Sequence, residues 1–234
     1  MTTLTIPTSQ PGPFIGDLFT AKQIAPILGD YYAFTTTAAT LVVTSLQTLT
    51  EASPALIIEN TALAGGPNIT LDFVRLQTTA ADAASTTLVY AWKTDTIRGK
   101  WASAGSALTP QNVNAGTPSA SVGTVHAGAL VVATAQQSSP NAKTVSQEFL
   151  LPTGTAPVQV LGDLYDFRFG GNEASLPTVI SNIASNGAHT FATGRVISLG
   201  PVTLSPGSTL TLFLFSANAA NQPSYTFTGG WYEF

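Results

Sequence analysis

Apolar and polar residues alternate with a two-residue period along most of this chain. In the stretch Val196 to Phe234, Leu210, Leu212 and Leu214 fall on one side of an extended segment and Thr209, Thr211, Phe213 and Phe215 on the other. Such a segment is apolar on both faces, which predicts a strand covered twice. Beyond the loop Ser216–Pro223, Tyr225 and Phe227 oppose Ser224, Thr226 and Thr228, predicting a second strand. The chain then passes Gly229–Gly230 and reaches Trp231, Tyr232, Glu233 and Phe234, aromatics expected to be pinned rather than solvated.

Earlier segments show the same grammar. Leu41, Val43 and Ser45 alternate with Val42, Thr44 and Leu46; Leu56 and Ile58 oppose Ile57 and Glu59; Ile69, Leu71 and Phe73 oppose Thr70 and Asp72. Leu88, Tyr90 and Trp92 make a strong inward set opposite Val89, Ala91 and Lys93, followed by a turn at Gly99. Val125–Thr134 reads as a strand covered on both sides, and Val145–Leu151, Val158–Phe169 and Phe191–Leu199 add more. About ten strands are expected. The helix candidates are a turn around Leu18–Ile24 and Thr178–Ala184, the latter rich in β-branched residues. Without helices to cover parallel βαβ units, the expectation is an all-β, antiparallel β-sandwich of jelly-roll type.

Proline and glycine divide the chain. Residues 1–31 carry Pro7, Pro11, Gly12, Pro13, Gly16, Pro26 and Gly29, punctuation that predicts an extended N-terminal arm, and its Phe14, Ile15, Leu18 and Phe19 suit an arm lying on a surface. Residues 32–234 are expected to form one sandwich domain with a long structureless loop at about 102–123, rich in Gly, Pro and Ser.

Composition narrows the partners. Charged residues are 9% of the chain, against roughly 25% in ordinary soluble domains, and Thr, Ser, Asn and Gln fill the polar positions. Depleted charge is what interface cores show, so a packed assembly and a merely charge-poor domain both fit. A net charge of −4 argues against a surface made for phosphates, hence no nucleic acid. No run reaches the length a membrane helix needs, and the N-terminus lacks the basic and apolar regions of an export signal. Cysteine is absent, which removes disulfides and thiolate chemistry and fits a reducing cytoplasm as well as many extracellular β-proteins.

Candidate chemistry is sparse. His126 and His189 flank apolar strand segments and read as strand-edge or interface residues. Asp163, Asp166, Arg168 and Glu173 form the densest polar cluster, but Asp163 and Asp166 fall on opposite faces of a regular strand, so an Asp166–Arg168 pair on one face, or a contact to a neighbouring subunit, is expected rather than a catalytic carboxylate dyad. Lys93, Asp95, Arg98 and Lys100, flanked by Trp92 and Trp101, could stack on bases or sugars; a salt-bridged loop at an intersubunit edge fits the acidic total better. Asn68-Ile-Thr70 matches a glycosylation triplet without a secretion signal. No catalytic, cofactor or metal residues are assigned, and no enzyme activity is expected.

Several pieces taken together resemble small structural proteins that tailed bacteriophages encode beside their capsid genes. They are Leu56-Ile-Ile-Glu-Asn60, Ile69-Thr-Leu-Asp-Phe-Val-Arg-Leu76, Thr86-Thr-Leu-Val-Tyr90, Gly128-Ala-Leu130, Leu164-Tyr-Asp-Phe-Arg-Phe-Gly170, Gly200-Pro201, Ser205-Pro-Gly-Ser208 and the terminal Gly-Trp-Tyr-Glu. Each is strand-and-turn grammar alone; their order and spacing carry the resemblance. It implies a jelly-roll decoration or cement protein on the capsid exterior, assembled in the host cytoplasm, a homo-oligomer, in particular a trimer, with the major capsid protein as partner. Phe14, Phe19, Trp101, Trp231, Tyr232 and Phe234 are the expected interface residues. The alternative is a receptor- or glycan-binding module of a tail fibre or baseplate, gripping sugar through Trp92, Trp101 or Trp231.

Overall fold

The structure is a computed structural model that describes residues 30–36, 41–42, 49–80, 88–116, 119–150, 161–170, 178–180, 194–216 and 223–234. The strands are β1 (Tyr31–Thr35), β2 (Leu41–Val42), β3 (Leu56–Asn60), β4 (Ile69–Ala80), β5 (Leu88–Asp95), β6 (Ser106–Leu108), β7 (Gln111–Asn112), β8 (Gly123–Ala127), β9 (Lys143–Leu150), β10 (Leu164–Phe169), β11 (Thr178–Ile180), β12 (Gly194–Leu199), β13 (Thr203–Leu204), β14 (Thr209–Ser216) and β15 (Ser224–Glu233). One sheet runs β11-β12-β10-β4-β15-β1-β7, with β13 on β4 and β2 on β15; the other runs β6-β8-β3-β14-β5-β9. The two pack around a shared core, and no α-helix occurs among the described residues. This is an all-β sandwich.

Alternation explains which strands lie at the centre. β14 sits between β3 and β5, with Leu210, Leu212 and Leu214 in the core and Thr209, Thr211 and Phe213 also buried on its other face. On β5, Tyr90 and Trp92 point inward and meet Phe167 and Phe169 of β10 edge-on, with ring centroids 4.9 to 5.4 Å apart. Aromatics joined in this way hold the two sheets in register beyond what buried area supplies. β15 is the backbone of the first sheet, pairing with β4 along its length and with β1 on its other side. Tyr225, Phe227 and Trp231 are wholly buried on its inner face. Gly123 and Gly229 leave the space: a Cβ would stand 2.5 Å from the Trp231 ring at Gly123 and 2.6 Å from the Phe34 ring at Gly229.

Several expectations are corrected. The two-residue period groups Phe73 with Ile69 and Leu71, yet Phe73 is only half-buried while they are buried, because Trp231 pairs with Leu71 and Gly230 with Phe73, so that Asp72 is the extra residue of a bulge. The bulge reverses the phase, sends Val74, Leu76 and Thr78 inward and turns Phe73 outward. The segment 102–123 is not structureless: β6 joins the edge of one sheet through β8 and β7 the edge of the other through β1. Residues Val125–Thr134 do not make one strand; β8 ends at Ala127, and the chain then follows Ala55, Pro54 and Ala52 through irregular bonds, leaving Val131 exposed. Thr178–Ile180 is strand, not helix.

The pairing is antiparallel except between β10 and β12, which run parallel. Phe169 and Gly194 are separated by more than the dozen residues a parallel crossover needs, and no helix is required to make one. The N-terminal arm, expected at 1–31, gives up Tyr31 to β1, where it pairs with Tyr232. Phe14, Phe19, Glu173 and His189 lie outside the described residues.

Candidate functional site: faces and edges of the sandwich

The charged residues that looked available for chemistry are largely consumed inside the fold. Asp95 ends β5, and its carboxylate accepts from the Thr96 amide at 2.7 Å, the Ser139 amide at 3.1 Å, the Ser139 hydroxyl and the Lys100 ammonium at 3.0 Å. Burial pushes this carboxyl up, but the Ser139, Lys100 and Thr96 bonds outweigh it and hold it below the ordinary Asp value. Lys93 pairs with Glu51, and Arg98 donates to the Thr61 and Ala62 carbonyls. Lys93 and Asp95 thus lie at the end of β5 and Arg98 and Lys100 in the loop after it, each held by ion pairs or hydrogen bonds within the chain, and Trp92 beside them is core.

Trp101 is 36% exposed. Its indole donates to the Ala104 carbonyl at 2.9 Å and its ring stacks on His126, centroids 4.0 Å apart and planes within 16°. Burial lowers the His126 pKa below the ordinary imidazole value, so the stacked ring is neutral at pH 7. Among the described residues no group of three or more His, Asp or Glu could hold a metal.

Two outward surfaces stand out among the described residues. On the first sheet, Asp166 accepts from Arg168 at 2.7 and 2.9 Å and from Arg75 at 3.2 Å, which bears out the same-face pairing of Asp166 and Arg168. Both guanidinium groups lie over the outward Phe73 ring, at 5.8 and 5.2 Å. Alongside, Tyr31 donates to Asp72 at 3.1 Å, and burial followed by the Asp72 charge raises the phenol pKa values of Tyr31 and Tyr232. Phe234 stacks on Tyr232 at 5.8 Å and is 57% exposed, while its backbone exchanges two bonds with Asn68.

On the second sheet, Val89, Phe149 and Phe215 line a shallow hollow of about 490 Å³ with Gln147 and Glu148. Phe149 is 62% exposed and stands on the edge strand β9.

The expected interface residues therefore divide. Trp101 and Phe234 present aromatic surface. Tyr232 is nearly covered, and Trp231 is wholly inside, its indole donating to Glu233 at 3.0 Å, so it is not available as an adhesive residue. Glu233 in turn takes the Ser121 hydroxyl and the Val122 amide, tying the segment before β8 to the last strand. Phe149 escaped the sequence reading because its place at a sheet edge depends on strand order, which alternation does not carry. Arg75 and Phe73 escaped it because the bulge had to be known first.

Taken together, these features define a β-sandwich with built faces and edges. No protein-family model, curated protein or solved structure matches the chain. The likeness to phage head proteins therefore rests on the sequence segments that suggested it.

Proposed function

We propose that the chain is a structural virion protein, a decoration or cement protein that binds the capsid lattice of a tailed phage as an oligomer. The single observation that carries this is the strand connectivity. β1-β15-β4-β10 in one sheet face β3-β14-β5-β9 in the other, and steps such as β3 to β4, β4 to β5 and β14 to β15 each cross between sheets. We read this as two interlocked Greek keys, the jelly-roll order that the resemblance implies. Fold alone does not fix function. The charge-poor composition supports an adhesive role, since surfaces without Lys and Glu lose less on desolvation. Cement works by linkage: contacts that exist only in the assembled shell add their binding energy to shell stability.

Adding the purified protein to undecorated capsids is expected to raise their resistance to heat and low ionic strength, saturating at a fixed number of copies. No binding and no gain would remove the proposal. A second reading, glycan binding, is favoured by one observation, the stacked and part-exposed Trp101 ring. A glycan array that lights up with the native chain and goes dark for Trp101→Ala would decide for that reading, because cement binds no sugar.

A further inference from the structure

An edge strand offers a row of backbone N–H and C=O groups to any passing strand, and very short edge strands are one way of refusing the offer. Among the described residues, the outermost strands are short: β6 has 3 residues and β7, β2 and β13 have 2 each, while β11 is described over Thr178–Ile180. β9 is the exception, with 8 residues, and Lys143, Thr144, Gln147, Glu148 and Phe149 on it are exposed.

β9 carries one positive and one negative side chain, Lys143 near its start and Glu148 near its end. An odd separation in sequence would put them on opposite faces of a regular strand. However, Trp92 pairs with Ser146 and Lys93 with Thr144, so Val145 is the extra residue of a bulge. Lys143 lies opposite Thr94 and Glu148 opposite Tyr90, both on the inner side of the sheet, which places the two charges on one side of the edge about the bulge. Glu148 lies beside the Tyr90 hydroxyl, whose pKa is pushed up to about 12 by burial, with Glu148 adding to the rise.

A strand with this polarity is its own antiparallel complement. Turned about a two-fold axis, a second β9 sets each Lys143 against Glu148 of the other copy, whereas a parallel copy sets like against like. A guard built only to repel copies would carry one sign. We propose that β9 is a self-association edge, on which a second copy of this chain pairs antiparallel through β9 to continue the β6-β8-β3-β14-β5-β9 sheet across a two-fold axis. This deepens the self-association in the proposed function and rests on it. It is tested on the isolated chain, so its failure leaves binding to a shell untouched, and failure of shell binding leaves it standing.

Light scattering on the full-length chain in solution provides the test. The native particle is expected to contain an even number of copies, a dimer or a pair of trimers rather than the single trimer that the resemblance implies. Lys143→Glu and Glu148→Lys, each creating two like-charge pairs across the axis, are each expected to halve its mass; the double swap Lys143→Glu/Glu148→Lys restores it. Both positions are exposed, and an unchanged far-UV circular dichroism spectrum with a cooperative unfolding transition confirms that each variant folds, its midpoint falling only by what the lost association contributed. As a second measurement, amide exchange over Ser146–Leu150 is expected to be at least tenfold slower in the native particle than in either single variant. An odd-numbered native particle, single variants of native mass, a double swap that stays halved, or equally fast exchange in all of them would each overturn the proposal.

Discussion

At the scale of single residues, the buried pair Asp95–Lys100 is the most demanding feature, with both side chains only 2% exposed. Removing one partner from such a pair strands the other charge and costs about 3–5 kcal/mol. Lys100→Met is therefore expected to lower the unfolding free energy by roughly that amount in a urea titration, with Ser139 and the Thr96 amide, which still hold Asp95, favouring the lower end. The sign of the pH dependence follows from the depressed Asp95 pKa. The unfolded carboxyl binds its proton more readily, so stability is fully present above the ordinary Asp value and is lost as pH falls through the folded one. His126 has the same sign in a higher window: its folded pKa lies below 6.5, so stability falls as pH drops below that ordinary imidazole value. Thermal scans from neutral pH downward are expected to show an early loss that His126→Phe abolishes and a later acid loss that it leaves in place.

At the scale of elements, glycine at the centre of β15 makes a sharper test than any loop. A methyl group at Gly229 would meet the Phe34 ring at 2.6 Å and the Phe73 carbonyl at 2.9 Å. Neither the sheet nor the ring can yield far, so Gly229→Ala is expected to cost about 1–3 kcal/mol by overpacking, measured as a lower unfolding midpoint with unchanged far-UV circular dichroism. How far the sequence announced these elements depends on regularity. Leu210, Leu212 and Leu214 or Tyr90 and Trp92 alternate without interruption, and they lie where the pattern says. The pattern misleads where one residue is inserted. At Asp72 the bulge moves Phe73 from core to surface and with it the Arg75–Asp166–Arg168 group; at Val145 it moves Lys143 to the side of Glu148. Pairs such as Ser103 with Val131, or β7 with β1, join stretches too short and too rich in Gly and Ser to alternate visibly, because position alone recruits them.

At the scale of the molecule, low charge separates the two kinds of contact proposed here. Contact with a shell would be made by a surface in which hydroxyls and aromatics such as Trp101 and Phe234 predominate. Pairing through β9 would instead place four ionised groups beside one another at a solvent-exposed edge. Exposed charges are screened over a Debye length of about 10 Å at 0.1 M salt, and apolar and hydroxyl contacts are not. Raising the salt from low to high is therefore expected to weaken self-association several-fold while changing the affinity for undecorated capsids by less than about threefold, consistent with the small worth of exposed ion pairs. Analytical ultracentrifugation of the chain alone and co-sedimentation with capsids, run over the same salt series, measure the two separately. A steep fall in capsid binding with salt would mean that charged groups carry it. The outward Arg75–Asp166–Arg168 array would then be the place to look, because both guanidinium groups share one carboxylate there and remain 41% and 37% exposed.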